Sequence, residues 1–440
     1  MKIACVGNMN NVMFPTARYL ADEGHLVTLF LLDEFKHFLP SSDVFEFDNR
    51  IEIVELGWHH QNFYKVTSND VKEIFSPFSF FIGTDYAPAY FFKARMTLDI
   101  FFPAGGDIFD YPFRKIIKSS YLPKIFQIES FRCAKYQKWA LTLAQSISMD
   151  PANEDFEKYL KILKMDKIER IPALPFLYIT QYNTDFFSKS SHYNFIQKLK
   201  KENDFLIIQH CRQSWTCDKN SLHYKANDRL IKGFALFLKN NHEKKCKLIL
   251  LEYGEDVKET KKLIDELSIN EHVIWLPKML RKNLLTIIKH CNVGVGELGR
   301  SWFSYGAVYE ILAMKIPFIG NRKDEHYVST FPKLYPMYNA ETEIEIFESL
   351  NNVIKDPVNS KMIGEAGYEW LLKYHIKNSI DMIAKKIRDK NHASVIDISL
   401  LIRIKLILID SYVSMIVLLN NLHLKLLSLI TRKNSKKSVL

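Results

Sequence analysis

Glu297, Arg300 and Glu310 fall within one block, CNVGVGELGRSWFSYGAVYEILAMKIPFIG, running from Cys291 to Gly320. Asn292 to Gly296 reads as a short buried strand that enters a loop carrying Glu297, Gly299 and Arg300. From about Gly306 the spacing of Val308, Ile311, Leu312 and Met314 is helical, and Pro317–Ile319 with Gly320 reads as the next strand. Glu310 then sits in the first turns of a helix, where free backbone N–H groups and the positive dipole end face the loop. An anion bound there meets oriented donors, and a carboxylate beside it can accept from vicinal hydroxyls. A nucleoside diphosphate sugar offers both a pyrophosphate and ribose hydroxyls. The alternative for Glu310 is a favourable helix-end charge and nothing more.

The elements that would position this block follow from the rest of the chain. At 440 residues it exceeds what one hydrophobic core usually serves, so two domains are expected. The balance of 47% apolar and 25% charged residues is that of a globular protein. Six scattered cysteines, with no CxxC pair and no His cluster at zinc spacing, suit a reduced compartment and give no metal site. The chain opens directly on a strand, MKIACVG, so no signal peptide is expected and the location is expected to be cytoplasmic.

KIACVG, NMNNVM, FPTARYLADEGH and LVTLFLLD read as strand, loop, helix and strand, the unit of a parallel doubly wound sheet. Pro15 suits the first helical turn and Gly24 the C-terminal cap. The loop lacks GxGxxG; Asn8, Asn10 and Asn11 stand in its place. Their amides suit a hydroxyl-rich ligand such as an acceptor, or they are turn-formers only. A nicotinamide cofactor is disfavoured by the missing glycines. FSFFIGTDYAPAYFF and LDIFFPAGGDIFDYPF each run an apolar strand into a polar loop, holding Asp85 and Asp107. Such loops gather at the ligand crevice of an open α/β sheet. Asp107, after two glycines, is either catalytic or a helix cap.

Residues 171–190, with two prolines and few helix signals, read as the interdomain connection. FLIIQHCRQSW, NDRLIKGFALFLKN, CKLILLEYG, DVKETKKLIDELS, HVIWLP and LLTIIKHCN then alternate strand and helix into the opening block. No GKS/T phosphate loop or HExxH occurs.

At this point the second half closely resembles the C-terminal domain of family-4 (group 1) glycosyltransferases of the GT-B fold. The stretches that carry the likeness are the strand with Arg212, KANDRLIKGFALF, EYGEDVKETKKLIDELSINEHVIWLPKM and GELGRSWFSYGAVYEILAMKIPFIG. The first half resembles the matching N-terminal domain more loosely, through GNMNNVMFPTARYLADEGHLVTLF and AGGDI. The resemblance implies that Arg212 and Lys225 hold the donor pyrophosphate, a fork and a mobile ammonium against two phosphates. The bland reading of Lys225 is a surface lysine. Trp275-Leu276-Pro277 falls where the family contacts the base, although a lone Trp is usually core. Ser304, Tyr305 and Gly306 would contribute donor contacts, and Glu310 matches the second Glu of the family's signature, which contacts ribose. The first Glu of that signature is missing, with Trp302 in its place; Glu297 or backbone N–H groups from Phe303–Gly306 are the candidate substitutes. The implied chemistry is sugar transfer from a nucleotide-diphosphate sugar co-substrate, with no other cofactor, metal-independent and retaining.

The expected fold is therefore α/β, two Rossmann-like domains facing a cleft plus a C-terminal amphipathic helical tail. The expected divisions are 1–180 for an acceptor domain, 200–375 for a nucleotide-sugar domain, 376–390 for a crossover helix and 391–440 for the tail. The tail holds seven Lys/Arg against Asp397 and Asp410, half of the chain's net +10. On a helical wheel Ser399, Arg403, Asp410, Ser414, Asn421, Lys425, Ser428 and Arg432 make one narrow stripe, and no window is long and apolar enough to span. Such a segment suits an anionic membrane surface through 395–437, on the inner face of the cell membrane, or a helical hairpin over its own domain or a partner subunit. Basic charge confined to a greasy tail argues against nucleic acid. The expected activity is transfer to a glycan or lipid-linked acceptor in cell-envelope synthesis. A sugar-nucleotide epimerase and a silent scaffolding subunit on the same architecture are the alternatives.

Overall fold

The computed structural model describes residues 1–440 except 33, 116–124, 151–153, 391–398 and 438–440. Its first sheet is built from β1 (Lys2–Val6), β2 (Leu26–Leu31), β3 (Ile51–Glu55), β4 (Phe80–Gly83), β5 (Ile100–Phe101), β6 (Ser146–Ser148) and β7 (Glu169–Ile171). These strands run parallel in the order β3-β2-β1-β4-β5-β6-β7. The second sheet holds β8 (Phe205–Gln209), β9 (Cys246–Glu252), β10 (Val273–Pro277), β11 (Val293–Val295), β12 (Phe318–Gly320) and β13 (Tyr338–Asn339). It too is parallel, in the order β10-β9-β8-β11-β12-β13. The strands are short apolar runs because helices cover both faces of a parallel sheet, leaving no side for polar residues. All five residues of β8 and all of β4 are buried.

In each sheet the order reverses beside the first strand of the unit, between β1 and β4 and again between β8 and β11. Loops leaving the carboxyl ends of these strands diverge there and open a crevice. Gly7 follows β1 with φ of +79°, and a Cβ on it would lie 3.0 Å from Thr84 Cγ2. Only glycine turns the chain that closely against the β4 loop.

After the second sheet the chain returns to the first. A π-helical stretch, Leu371–Lys377, leads into the helix Asn378–Arg388. Ile380, Ile383 and Ile387 of that helix pack into the same core as Ile3, Leu20 and Val27. Lys390 closes the return by donating to Asp99 at 2.7 Å.

The tail forms one continuous helix, Leu400–Lys437, and not the hairpin considered above. Its first half lies along the helix Ile125–Leu141, where Ile128, Val413 and Ile416 make a small buried cluster. Tyr136 donates its hydroxyl to Asp410 at 2.9 Å, so one member of the polar stripe is turned onto the protein. The opposite side of the helix is apolar as well: Leu400, Leu401, Ile404, Ile407, Leu408, Met415, Leu418, Leu419 and Leu422 are exposed. Among the described residues no helix is long and apolar enough to cross a membrane. Residues 391–398 and 438–440, together with the side chains of 420, 421 and 423–437 that include Asn421, Lys425, Ser428 and Arg432, lie outside the described residues.

Candidate active site

The two crevices face each other. Loops after β1, β5 and β6 meet loops after β8 and β11 around a cavity of about 430 Å³. A second hollow of about 320 Å³ adjoins it. Asn10, Phe176, Arg212, Lys225, Glu297, Tyr305 and Gly306 line both.

Positive charge sits at this junction. Arg212 follows β8 and is exposed into the cleft. Lys225 is anchored by its own backbone, whose N–H donates to the Ser214 carbonyl at 2.7 Å. Ala226 then takes a left-handed conformation and starts the helix Asn227–Asn240. Asn227 ties the turn to the sheet, accepting from the Ser214 N–H and donating to Gln209, both at 3.0 Å. The Lys225 ammonium donates to Glu297 at 2.6 Å and lies 4.9 Å from the centre of the Trp302 ring. It is nearly buried, so the pair holds it in place rather than leaving it to solvent.

Tyr305 shapes the floor by accepting from the Glu297 N–H at 2.8 Å. Gly296 must lack a side chain there, since a Cβ would fall 2.3 Å from the Tyr305 hydroxyl. Gly306 opens the helix Gly306–Ala313 with free space where a side chain would stand. Both cavities therefore reach the N-terminal end of that helix, at Gly306. Ser304 lines only the larger one.

Glu310 borders the smaller hollow with both oxygens engaged. His210 contacts Oε2 at 2.8 Å and the Arg281 guanidinium contacts Oε1 at 3.0 Å. Burial works to raise the Glu310 carboxyl, but His210 and Arg281 outweigh it and leave it below its usual range. Arg281 also reaches across the cleft to Asp43 at 3.2 Å, the Phe176 carbonyl at 3.0 Å and the Asn10 carbonyl at 2.6 Å. Burial pushes Asp43 up to about 6 despite that cation. A second crossing joins Tyr309, which donates to Asp150 and stacks on His375 at 4.0 Å.

The asparagine loop divides. Asn8 is enclosed, donating to the Phe38 carbonyl and to Asn11 at 3.1 Å while accepting from the Phe14 N–H at 3.0 Å. Asn11 donates to the His37 carbonyl at 2.6 Å and borders the smaller hollow. Asn10 faces the cleft. Asn10 and Asn11 have φ of 57° and 55°, the conformation asparagine tolerates.

Asp107 and Asp85 lie behind the cleft wall rather than in it. The Asp107 carboxylate accepts from the N–H groups of Ala104 at 3.0 Å, Gly105 at 2.9 Å and Asp85 at 3.3 Å. This is the geometry of a loop brace, because Gly105 and Gly106 let the chain curl around its own aspartate. Burial raises Asp107 to about 6 against those amides. Burial, with Glu34 and Asp107 adding repulsion, raises Asp85 well above the carboxylate range. Trp275 and Pro277 border neither hollow. β10 is the outer strand of its sheet, and Trp275 packs beside the Asn227–Asn240 side of the core under Lys261. The backbone beyond it, at Lys278 and Met279, is what reaches the cleft.

No protein-family model matches this sequence, and neither does any curated protein. Solved structures do. Sucrose-phosphate synthase from Thermosynechococcus elongatus superposes with a TM-score of 0.56 at 12% identity, over 88% of this chain and 98% of that one. HepE of Anabaena, solved in complex with UDP, gives 0.54 at 13% identity over 89% of this chain and all of its own. WaaG, a glycosyltransferase involved in lipopolysaccharide biosynthesis, gives 0.52 at 12% identity over 89% and 100%. The chain has the GT-B fold. At such identities the likeness extends to the architecture alone, and residue roles rest on the geometry above.

Arg281, His210, Asp43 and Asp150 are not apparent from the sequence as site residues. Arg281 opens RKNLLTIIKH, which reads as a surface helix end; only QHCR, with His210 two places before Arg212, carried a signal.

Two outcomes are expected. Arg281→Met leaves Asp43 and Glu310 facing each other without a cation and should cost about 3–5 kcal/mol in denaturant unfolding; the added change Asp43→Asn should recover part of it. Asp107 binds a proton more tightly folded than unfolded, so its contribution is complete at pH below about 4 and is lost as pH rises through about 6. Relative to Asp107→Asn, the wild type should lose roughly 3 kcal/mol between pH 3.5 and 7. A constant difference across that range would refute the assignment.

Proposed function

We propose that this protein is a glycosyltransferase that moves a sugar from a nucleoside diphosphate to an acceptor hydroxyl. The observation that carries the reading is the convergence of Arg212, Lys225 and the N-terminus of the Gly306–Ala313 helix at one junction between facing crevices. A diphosphate leaving group develops charge as the glycosidic bond breaks, and these groups neutralise it without a metal. Glu310 accepts the ribose hydroxyls once the Arg281 contact yields, and the base lies toward Lys278 and Met279. Asn10 and the loops after β5 and β6 border the acceptor side. Glu297 holds Lys225 against the phosphates, and the reaction retains anomeric configuration. Asp107 and Asp85 support the acceptor loops from behind.

The acceptor is a lipid-linked or polysaccharide glycan of the cell envelope, reached from the cytoplasmic face of the membrane. The exposed apolar side of the Leu400–Lys437 helix supports this, because so long a strip of bare leucine and isoleucine is matched by an interfacial environment. Lys433, Lys436 and Lys437 at its end suit an anionic surface.

Arg212→Ala and Lys225→Ala should each weaken UDP or GDP binding by about 1.5–3 kcal/mol, a loss of roughly tenfold to a hundredfold in calorimetry. Unchanged affinity in both variants would sink the reading. Conversion of a free nucleotide sugar into its epimer with no acceptor present would replace it with epimerase chemistry, and binding without turnover would favour a scaffold. A chain ending at Lys390 should no longer sediment with anionic vesicles; sedimentation equal to that of the full chain would exclude the tail as the anchor.

A further inference from the structure

The larger cavity adjoins the junction assigned to the diphosphate. Its walls are aromatic from both sides: Phe102, Phe109, Phe156 and Phe176 on one, Trp302 and Phe303 on the other. Hexose recognition ordinarily needs acceptors for vicinal hydroxyls, which carboxylates supply best. Three carboxylates border this cavity, and each already has a partner. Asp110 takes the Arg114 guanidinium at 3.1 Å, Asp150 takes the Tyr309 hydroxyl, and Glu297 takes the Lys225 ammonium at 2.6 Å. Each therefore has part of its accepting capacity committed, and the aromatic walls offer a hydroxyl nothing in exchange for the water it gives up.

Trp302 occupies the deciding position. It stands in the turn between β11 and the Gly306–Ala313 helix, beside the junction assigned to the diphosphate. The Lys225 ammonium 4.9 Å from its ring centre fixes the indole in place. The Lys225 ammonium is already shared between Glu297 and Trp302, so the indole offers the arriving group an apolar surface and not a further charge.

Resting on the glycosyltransferase reading, we propose that the chamber selects a methyl-bearing sugar, an N-acetamido or 6-deoxy hexose, over its fully hydroxylated counterpart, with Trp302 as the specificity-determining residue. The methyl group packs on the indole and the facing phenylalanines, where burial of one such group favours binding. Loss of the C6 hydroxyl removes a group that the aromatic walls cannot satisfy, and replacement of the C2 hydroxyl by acetamide adds a methyl that those walls can cover. The selection is made by exclusion as much as by attraction.

The test is calorimetric binding of two base-matched pairs to the full chain: UDP-N-acetylglucosamine against UDP-glucose, and GDP-6-deoxymannose against GDP-mannose, with UDP and GDP alone. At least one methyl-bearing ligand should bind about tenfold tighter than its partner. Trp302→Ala should bring that ratio to within about twofold, and Trp302→Phe should keep most of it. The ratio within a pair is the readout, so a general weakening in Trp302→Ala does not obscure it. Equal binding within both pairs, or a preference that survives Trp302→Ala, overturns the inference while leaving nucleotide binding intact. Failure of UDP and GDP alike to bind the wild type overturns the glycosyltransferase reading and this inference with it.

Discussion

One buried guanidinium sets the geometry of the cleft. Arg281 belongs to the second unit, yet most of its partners belong to the first: the Asp43 carboxylate and the carbonyls of Asn10 and Phe176. Its remaining contact, Glu310, is the acid expected to meet the ribose. A cation so enclosed cannot be left with fewer partners than it has without a large cost, so the two sheets are held at the distance its side chain spans. Everything lining the two hollows inherits its separation from that span.

Around that link the buried carboxyls are unequally compensated. Asp43, Asp85 and Asp107 lie in the first unit with carboxyls raised by enclosure, whereas Glu310 is kept ionised by His210 and Arg281. Asp43 and Asp107 therefore hold their protons to higher pH than Glu310 does. The aromatic cavity lies between these two environments, with Arg212, His223 and Ser304 among its polar lining. Such a space strengthens whatever electrostatic contacts are made at its rim.

The sequence reveals the sheets well and the site unevenly. KIACVG through LVTLFLL, and the block from Cys291 to Gly320, alternate apolar strands with helices punctuated by Pro and Gly, and local chemistry of that kind survives into the structure. Arg212, Lys225 and Gly306 are legible because they sit where strand meets helix in a parallel sheet. Arg281 is not, since its carboxylate partner Asp43 lies 238 positions away and only the meeting of two units brings them together. Asp107 is ambiguous for a different reason: a Gly-Gly-Asp turn serves a cap and a catalytic loop equally, and only the direction of the carboxylate separates them. Trp275 illustrates a third limit, as strand position is readable but whether that strand is the outer one is not. For the tail, the wheel shows a polar stripe without showing that both of its flanks are apolar and that only one is covered.

The return of the chain to its first sheet bears on the order in which the protein can be made. Ile380, Ile383 and Ile387 fill a core whose other members include Ile3, Leu20 and Val27. A ribosome adds roughly 5–20 residues each second, so the strands of the first sheet emerge many seconds before the helix that seals them. Throughout that interval the nascent first unit keeps an apolar groove open while the whole second sheet is synthesised and folds. The groove closes only when the helix Asn378–Arg388 is made. Translation speed across the second sheet, more than the stability of either unit, then decides how long the unsealed intermediate is at risk of aggregating.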